Sequence, residues 1–501
     1  MGPDGLTRRD RDLIRDVLAR YHEVRRVTLF GSRAMGTFGR GSDIDLALEG
    51  RDLDARALTR IATELEDSDL PYKVDLLLRD EQLEPKLEAH IRRHGKPFGW
   101  KQSTWGEEIS LEYGKSLKDY LESTSGFRVF GTNGPIGWTD KPIADGPGVI
   151  LGRKGAYRGV HFSRDPFFVI DTAYYVVPKT ELDMRWLYYA MIHYQLGQID
   201  DGSPIPSTTR AAVYPREIVV PPFDEQRDIS RALGALDDKI EQNRRTAQAL
   251  EQLARAIFRA WFVDFEPVKA KAAGATAFPS MPQPVFDALP TRFVDSASGP
   301  VPEGWEVGKL GDVASQVREG VNPSEIDMTT PYIGLEHMPR RSITLTEWEH
   351  ADKVSSGKSR FRAGQILFGK LRPYFHKVGA APLDGVCSTD IVVLESEVPE
   401  WRAMVLCHAS SDEFVAHATA CSSGTKMPRT NWSDMASYPI VVPPRFVGLA
   451  FNEFMEPMLA LLTAGIFESR KLTDLRDYLL PKLLSGQVQV NDAARSMREV
   501  G

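Results

Sequence analysis

Cysteine is scarce in this chain: only Cys387, Cys407 and Cys421 occur among its 501 residues. None of them stands in a Cys-x-x-Cys pair, so the spacing excludes a zinc ribbon and a scaffold stapled by disulfides. Three unpaired thiols are typical of a reducing compartment, and we therefore expect a cytoplasmic protein.

Long apolar runs and an excess of positive charge are missing as well. No run approaches the ~20 residues that a membrane-spanning helix needs, because Glu453 and Glu456 interrupt the most apolar late stretch, residues 451–467. The first residues, MGPDGLTRRDRD, are polar, so we expect no secretory signal and no membrane partner. The formal net charge of -7 argues against a protein that coats nucleic acid, but it leaves room for a basic patch on one face.

Two catalytic motifs are absent in spite of near matches. Val220-Pro221-Pro222-Phe223 lacks the asparagine of the N-P-P-[F/Y] motif of adenine methylation. Gly114-Lys115-Ser116 has the end of a P-loop, but Ile109 stands where that motif has its first glycine. We therefore expect neither methyl transfer nor P-loop ATP hydrolysis from this chain.

What the chain does have is an internal repeat. The segment GSPIPST begins at Gly202 and GTKMPRT begins at Gly424, an offset of 424 − 202 = 222. The segment IVVPP begins at Ile218 and again at Ile440, and 440 − 218 is also 222. Two matches with one offset predict a duplicated structural unit.

The beginnings and middles of the two units match with other offsets, because the loops inside them differ in length. PFGWKQSTWGE begins at Pro97 and PEGWEVGKLGD at Pro302, an offset of 205, while ILGRK at Ile150 aligns with ILFGK at Ile366, an offset of 216. We predict two α/β modules, residues 97–223 and 302–445, that use one scaffold to recognise two different things.

A helical pattern follows each module, with apolar or small residues every three or four positions. The members are Ile229, Leu233, Leu236, Ile240, Ala247, Leu250, Ala254, Ile257 and Trp261, and then Phe451, Phe454, Met458, Leu461, Leu472, Leu475 and Leu479. Asn243 would be a polar position that fixes the register of such a seam. The pattern predicts two long helices that pair as a coiled coil within the chain, and two ordinary core-facing helices are the alternative.

The predicted helices cover residues 224–265 and 446–486. Asp224 is a good N-cap residue for the first, and Pro457 is expected to kink or restart the second. The stretch between the first helix and the second module, residues 266–301, is rich in Pro, Ala, Gly and Ser and is predicted to be an irregular linker. Residues 487–501 form a C-terminal tail.

Residues 1–96 have no counterpart in the second half of the chain, and their pattern is α/β. Leu13, Ile14, Val17, Leu18 and Tyr21 form a helical stripe. Residues 27–30, 44–48 and 72–78 are predicted strands. The chain as a whole is therefore expected to be a multidomain α/β (α+β) protein.

The string FGSRAMGTFGRGSDIDLAL resembles the minimal nucleotidyltransferases of the polymerase-beta superfamily, in which Gly-Ser precedes Asp-x-Asp. Asp43 and Asp45 lie two apart on a strand and share one face, and Asp75 on a neighbouring strand matches the third carboxylate of that family. Three such carboxylates repel one another unless cations bind, and their hard oxygen ligands suit Mg²⁺ that bridges nucleotide phosphates. A solvated strand end is the alternative for the Asp-x-Asp pair alone.

The same resemblance assigns the nucleotide contacts. Gly31 and Ser32 would let backbone amides approach the phosphates of a nucleoside triphosphate, and Arg33 would add positive charge. Small members of this family often act as antitoxins that nucleotidylate a partner protein, so a regulatory or accessory role is expected for the domain if it is active.

The remaining sequence resembles the specificity subunits of type I restriction-modification systems. The order of two Gly-Trp-initiated modules, a VVPP exit and a long helix carries this resemblance, as do the segments DEQRDISRALGALDDKIEQN and LRDYLLPKLLSGQ. It covers about residues 97–490. The second helix departs from the pattern, because it begins PPRFVGLAF where the first begins PPFDEQRDI.

The resemblance implies a subunit that neither cuts nor methylates. Each module would be a target-recognition domain for one half of a split site in double-stranded DNA. The two helices would pair as an antiparallel coiled coil and hold the modules a fixed distance apart. Two modification (methyltransferase) subunits would supply adenine methylation, and restriction (motor-nuclease) subunits would supply cleavage.

Basic and aromatic residues follow the same predicted strand in both modules and are candidate DNA contacts. They are Arg153, Lys154, Tyr157 and Arg158 in the first module, and Lys370, Arg372 and Tyr374 in the second. Lys426 and Arg429 lie in the repeated Gly-Thr segment. Basic groups bind phosphates, and arginine also reads guanine; the alternative is that these are ordinary solvated charges.

Three functions of different classes are compatible with the sequence. The first is a non-catalytic DNA-specificity subunit with an accessory nucleotidyltransferase domain. The second is a Mg²⁺-dependent nucleotidyltransferase that modifies a partner protein and is targeted by a DNA-binding module. The third is a coiled-coil scaffold with no role on DNA.

Overall fold

The computed structural model describes residues 4–490, except for Arg51, Glu81, Ala156, residues 201–205, Ser298, Thr425 and Gln489. The chain folds as two compact units, Met1–Asp238 with Thr473–Gly501, and Lys239–Leu472. Most of the predicted tail, residues 487–501, and the first part of the repeated segment at Gly202 lie outside the described residues.

The N-terminal domain is a four-stranded sheet with helices packed on it. Its elements are α1 (Arg8–Leu18), β1 (Val24–Phe30), α2 (Gly31–Met35), β2 (Ile44–Gly50), α3 (Ala55–Glu66), β3 (Val74–Leu78), α4 (Pro85–His94) and β4 (Lys96–Pro97). The strand order is β3-β2-β1-β4, with β2 parallel to β3 and antiparallel to β1. The three predicted strands are therefore present, and a fourth follows them.

Local sequence explains how this domain begins and where it ends. The side chain of Thr7 and that of Asp10 cap α1 reciprocally, which satisfies amides that a helix start leaves without partners. At the other end β4 pairs with β1, and Phe98 is buried in the core of this domain. The domain thus extends slightly beyond the predicted boundary at residue 96.

The first module follows almost without a linker. Its elements are β5 (Lys101–Thr104), α5 (Trp105–Glu108), β6 (Ile109–Tyr113), β7 (Phe127–Gly131), β8 (Gly134–Thr139), β9 (Gly148–Gly152), β10 (Val160–Ser163), β11 (Phe167–Val169), β12 (Ala173–Pro178), α6 (Met184–His193), α7 (Arg210–Val213) and β13 (Glu217–Val220). An antiparallel sheet in the order β10-β9-β12-β6 forms its centre, and β13 pairs with β5. Between the buried side chains of Phe98 and Trp100 stands one residue, Gly99, with a φ of 94°.

The segment that was predicted to be an irregular linker contains regular structure. After α8 (Phe223–Phe262) come α9 (Glu266–Ala272), α10 (Gln283–Ala288), β14 (Phe293–Ser296) and β15 (Gly299–Pro302). The prediction from composition was wrong because Phe265, Val268, Met281, Phe286 and Leu289 are buried in the core that also contains the second module. Burial of these apolar side chains offsets the low helix propensity of their neighbours.

The second module and the last helix complete the chain. The elements are β16 (Glu306–Lys309), β17 (Ala314–Val317), β18 (Gly320–Val321), β19 (Pro331–Ile333), β20 (Glu349–His350), β21 (Lys358–Phe361), β22 (Ile366–Gly369), β23 (Val378–Ala380), β24 (Gly385–Cys387), β25 (Ile391–Ser396), α11 (Arg402–Ala409), α12 (Asp412–Ala420), α13 (Trp432–Ala436), β26 (Pro439–Val442) and α14 (Arg445–Leu484). Its central antiparallel sheet has the order β17-β25-β22-β23, and β16 pairs with β26.

The two modules have the same central topology, as the repeat predicts. Lys101 lies opposite Val220 in the first module and Glu306 lies opposite Val442 in the second. The differences, 306 − 101 = 205 and 442 − 220 = 222, reproduce the two offsets that we read from the sequence.

The offset of 216 for the middle of the modules is wrong by one residue. Gly152 lies opposite Ala173 on β12, and Gly369 lies opposite Ile391 on β25, so the structural offset is 369 − 152 = 217. The counterpart of Lys370 is therefore Arg153 and not Lys154. A shift of one residue matters because side chains alternate between the two faces of a strand.

The long helices run antiparallel where they meet. Within the second unit, Phe451 of α14 contacts Phe262 of α8 at a ring-centroid distance of 4.9 Å. Farther along, Asn243 Nδ2 donates to Glu468 Oε2 at 2.8 Å and to Ser469 Oγ at 3.2 Å. Asn243 is thus a polar position on this contact, as expected, whereas coiled-coil geometry stays a prediction.

Two local expectations for these helices are corrected. α14 continues through Pro457 without a restart, and α8 already begins at Phe223. Asp224 is therefore not the N-cap residue; it lies in the first turn, where its negative charge suits the helix dipole. Buried Gln226 holds this entry by donating to the Pro221 carbonyl and accepting from the Asp183 amide.

Among the described residues, α14 is the single helix whose length and hydropathy would permit a membrane span. Phe451, Met455, Met458 and Leu462 on this helix are buried in the core of the second unit. Burial of these side chains is typical of a core helix.

Candidate functional site

The three predicted carboxylates of the N-terminal domain lie at one edge of the sheet. Asp45 on β2 and Asp75 on β3 are directly paired neighbours in the parallel ladder, so their side chains leave the sheet on the same face. Asp43 lies just before β2. Burial raises the pKa of the Asp45 carboxyl, and the negative charges of Asp75 and Asp43 raise it further.

A lysine that the sequence reasoning missed belongs to this cluster. Lys73 Nζ lies 2.6 Å from Asp75 Oδ1, and this hydrogen bond raises the pKa of Lys73. In the described part of the chain no three acidic, histidine or cysteine side chains converge as metal ligands in their present rotamers. The sequence could have indicated Lys73, because a residue two positions before Asp75 on a strand lies on the same face of the sheet.

The donor set nevertheless fits a hard divalent cation. Three carboxylates share one sheet edge, and after burial, the charges of Asp75 and Asp43 are the next causes that raise the pKa of Asp45; a bound cation would relieve this repulsion. Asp43, Asp45 and Asp75 would hold such an ion, with Lys73 released from Asp75. Carboxylate oxygens of this kind are ligands that Mg²⁺ accepts.

Gly31 lies directly against the central carboxylate. Its φ is 69°, and a Cβ atom at this position would be 2.2 Å from Asp45 Oδ2. A side chain is therefore excluded both by backbone conformation and by space. Ser32, the next residue of the predicted phosphate loop, is half-buried, and its carbonyl accepts from the Thr37 amide at 3.0 Å.

Arg33 has a different environment from the phosphate contact that we predicted. Its side chain is 1% exposed. The guanidinium donates to the carbonyls of Asp4 and Asp43 at 3.0 and 3.1 Å, and to that of Ser42 at 2.7 Å. It also lies 4.3 Å from the ring centroid of Tyr72. These contacts hold the loop that leads to Asp43, so the structure gives Arg33 a positioning role.

In the first module the four candidate residues have different environments. Lys154 and Tyr157 are exposed, the latter to 80%. Arg158 instead donates to Thr208 Oγ1 and to the carbonyls of Gly155 and Ile199. Its charged group is therefore occupied in fixing the loop, which leaves Arg153, Lys154 and Tyr157 as groups able to reach a ligand.

The structure brings two separate candidate segments of the second module together. Leu371 and Arg429 form a β-bridge, and the Thr430 amide donates to the Lys370 carbonyl at 3.1 Å. In the first module the Thr208 amide donates to the Arg153 carbonyl at 2.9 Å in the same way. The Gly-Thr segment and the strand exit thus form one surface.

Arg372 and Tyr374 lie on a tight turn of this surface. Arg372 has a φ of 49° and its amide donates to the Pro428 carbonyl at 2.7 Å, while its guanidinium donates to the Lys426 carbonyl at 3.2 Å. Tyr374 is 51% exposed. Arg429 is exposed but pairs with Asp390 at 2.9 Å, and Lys426 is exposed as well.

The larger part of the chain is similar in sequence to proteins of known class. The specificity subunit of the type I restriction enzyme MjaIX from Methanocaldococcus jannaschii is 24% identical over 413 residues, which cover 77% of this chain and 88% of that protein. The EcoDI specificity subunit of Escherichia coli is 23% identical over 365 residues, covering 70% and 78%. The chain is a homologue of the type I restriction specificity subunits.

A solved structure supports the fold of this homologue. The crystal structure of a type I restriction-modification S subunit from M. genitalium matches with a TM-score of 0.50 at 15% sequence identity. The match covers 77% of this chain and 96% of that chain. At this identity the likeness supports the shared fold of the modules and helices.

The N-terminal domain of this specificity-subunit homologue matches another family. Residues 12–101 match the model described as Polymerase beta, Nucleotidyltransferase. The match includes Gly31, Ser32 and all three carboxylates, and it ends just beyond β4, close to the boundary that the sheet pairing gives. Both resemblances that we drew from sequence motifs are thereby confirmed.

Proposed function

We propose that the chain is the DNA-specificity subunit of a type I restriction-modification complex and that each module recognises one half of a bipartite double-stranded DNA site. The observation that carries the proposal is the duplicated surface at the exits of β9 and β22. In both modules the same backbone hydrogen bond joins this exit to the Gly-Ser/Thr segment, while the side chains there differ. One scaffold with different side chains is what recognition of an asymmetric site requires.

The chemistry of these surfaces suits DNA. Lys154, Lys426 and Lys370 place positive charge beside exposed Tyr157 and Tyr374. Lysine binds phosphates and fixes the register of a protein on the duplex, whereas base edges supply the sequence information. A local basic surface on a chain of net charge -7 would concentrate DNA at these loops.

We propose further that α8 and α14 set the spacing of the half-sites. Each has 40 residues, which corresponds to ~60 Å at a rise of ~1.5 Å per residue. Two modification subunits would then add the adenine methylation that this chain lacks motifs for, and restriction subunits would add cleavage, all in the cytoplasm.

Mapping of adenine methylation tests this function. Cells that carry this gene with its modification partner should methylate a split motif, and deletion of either module should abolish it. Lys426→Ala and Lys370→Ala should lower occupancy of the motif, while Lys353→Ala, an exposed lysine of the same module, serves as the matched control. A methylation pattern that is independent of this gene would refute the proposal.

A second proposal concerns the N-terminal domain, which we infer to be a Mg²⁺-dependent nucleotidyltransferase with a partner protein as its substrate. Bound Mg²⁺ would neutralise the phosphates of a nucleoside triphosphate and orient the attacking group. The chain's own contribution would be to hold the cation on the three carboxylates, admit the phosphates beside Gly31 and keep the loop before Asp43 rigid through Arg33.

Labelled ATP with Mg²⁺ and the intact complex tests this activity. Transfer of label to a protein should disappear in Asp43→Asn and Asp45→Asn, while DNA binding remains. Asp69→Asn, an exposed aspartate of the same domain, should transfer like the wild type. Absence of transfer by the wild-type chain would count against the activity but would leave the DNA-specificity function standing.

A further inference from the structure

Two arginines and two tyrosines that are distant in sequence meet in the first module. Arg153 and Arg210 lie over the same ring, that of Tyr113, at 4.8 and 4.6 Å from its centroid to their guanidinium carbons. Tyr174 lies beside Tyr113 with a ring-centroid distance of 5.0 Å. Sequence reasoning selected Arg153 alone, because 97 residues separate Tyr113 from Arg210.

Hydrogen bonds to backbone carbonyls fix the positions of both arginines in the cluster. Arg153 Nη1 donates to the Asp171 carbonyl at 3.0 Å, and Arg210 Nε donates to the Leu111 carbonyl at 2.7 Å. Burial raises the pKa of the Tyr174 hydroxyl to about 12, with its hydrogen bond to Tyr113 as the next cause. Tyr174 therefore stays a neutral phenol. The two hydrogen bonds to backbone carbonyls hold both guanidiniums in place without a ligand.

Part of the cluster is exposed to solvent. Tyr113 is 46% exposed, and the Arg210 side chain is 36% exposed. The cluster adjoins the surface of the first module described above, because Arg153 is the first residue after β9. The carboxylate of Glu112 lies 3.5 Å from Arg210 and offsets part of the positive charge of the cluster.

The second module has the same set of residue classes at the three equivalent positions, in a different arrangement. The offsets fixed by the strand registers place Arg318 at the position of Tyr113 (113 + 205), Lys370 at that of Arg153 (153 + 217) and Trp432 at that of Arg210 (210 + 222). Each module thus has two basic residues and one aromatic residue at these positions, with the aromatic residue at the first position in one module and at the third in the other. Arg318 is exposed.

The hydrogen bonds of Arg210 favour a contact with the nucleic-acid backbone. An arginine that reads guanine uses a free pair of donors for the bidentate contact with O6 and N7. Both Nε and Nη2 of Arg210 already donate to the Leu111 carbonyl, so this pair is engaged, and Nη1 of Arg153 donates to the Asp171 carbonyl. The N–H groups that remain on two guanidiniums fixed over one ring suit the oxygens of a phosphate.

We propose that Arg153 and Arg210, supported on the ring of Tyr113, bind backbone phosphates of the DNA at the first half-site, which rests on the proposed DNA-specificity function. Tyr113 is a positioning residue, since its ring fixes both guanidiniums before DNA arrives. The site contributes affinity and register, and it leaves the recognised sequence to other residues of the module.

The experiment is a salt titration of duplex-DNA binding by the full-length chain, alone and with its modification partner. Each phosphate contact contributes ~0.9 to the slope of log K against log salt concentration. Arg153→Gln and Arg210→Gln should each lower the slope by about 1 and weaken binding to all duplexes by a similar factor. Arg210→Lys keeps the charge and should keep most of the slope.

Arg216→Gln is the matched control, because Arg216 is an exposed arginine of the same module whose Nε also donates to a backbone carbonyl, that of Ala212. Tyr113→Phe should bind like the wild type, whereas Tyr113→Leu should bind like the arginine variants. The methylated motif should be the same in every variant that still methylates.

Three outcomes would overturn the inference. A slope in Arg153→Gln and Arg210→Gln equal to that of Arg216→Gln would remove the phosphate contacts while the DNA-specificity function stands. A changed motif would show base reading at this site instead. Absence of salt-dependent binding by the wild-type chain and its complex would remove the proposed function and this inference together.

Discussion

Replacement of Arg33 by alanine separates a structural arginine from a nucleotide-binding one. The guanidinium donates to three backbone carbonyls, of which the bond to Asp4 is buried and the bonds to Ser42 and Asp43 are partly buried. Hydrogen bonds from a charged donor contribute ~1.5–3 kcal/mol net where water cannot replace them. We assign about 2 kcal/mol to the buried bond and about 1 kcal/mol to each of the others.

The expected loss is therefore about 4 kcal/mol, against a stability of ~5–15 kcal/mol for a typical domain. Arg33→Lys keeps a charge but cannot serve three carbonyls from one ammonium group, so it should recover about half of the loss. Amide hydrogen exchange on the intact chain, followed over residues 24–50, measures the effect. Since ~1.4 kcal/mol corresponds to a factor of ten, Arg33→Ala should exchange roughly a thousandfold faster there.

Arg40→Ala is the matched control, because Arg40 is an exposed arginine in the same loop and its loss should change stability by less than about 0.5 kcal/mol. Unchanged exchange in Arg33→Ala, together with weaker binding of a nucleoside triphosphate, would refute the structural role and restore the phosphate contact that the sequence predicts.

Three further predictions concern stability. Gly31→Ala should destabilise the N-terminal domain by at least ~1–2 kcal/mol through its left-handed backbone and should displace Asp45, which hydrogen exchange and an NMR titration of that carboxyl would detect. Glu251→Ala should cost about 3 kcal/mol in chemical denaturation, because buried Glu251 accepts from Ser342 and from the amide and hydroxyl of Thr344, whereas Glu241→Ala on the exposed face should cost less than ~1 kcal/mol; equal losses would contradict the assignment. Burial lowers the pKa of His408 to about 4, whereas a histidine in the unfolded chain has a pKa near 6.5. Because only the unfolded chain binds this proton between those pH values, the free energy of unfolding should fall by up to about 3 kcal/mol as the pH is lowered from about 6.5 to about 4. A His408→Phe variant with the same pH dependence would show that other groups cause it.

The repeat was the strongest signal in the sequence because it depends on identities at fixed offsets and not on conformational preference. It predicted two modules whose internal loops differ in length. It failed by one residue at Gly152 and Gly369, since the letters ILGRK and ILFGK align best in a register that the sheet does not use. Hydrogen bonds to β12 and β25, which no local pattern encodes, decide this register.

The three carboxylates could also be selected, because Asp-x-Asp places two of them on one face of a strand and the family resemblance supplies Asp75 as the third. The structural role of Arg33 could not be predicted, because its partners, Asp4 and Ser42 among them, come together only in the folded domain. The cluster around Tyr113 escaped for the same reason. The segment 266–301 was misjudged because composition reports average propensity, whereas a few buried apolar residues decide whether it packs.

Gly99 has a consequence for how the N-terminal domain can work. Phe98 is anchored in one core, and Trp100 is anchored by its indole N–H, which donates to Glu225 on α8 at 2.8 Å. The two domains therefore share a joint of one residue rather than a flexible tether. A domain on a flexible tether can reach partners over a range of positions, whereas a domain on a joint of one residue keeps one position beside the first module. Under the proposed functions, any protein that this domain modifies would have to reach it at that position, and the proposed partner subunits would do so when they bind this chain.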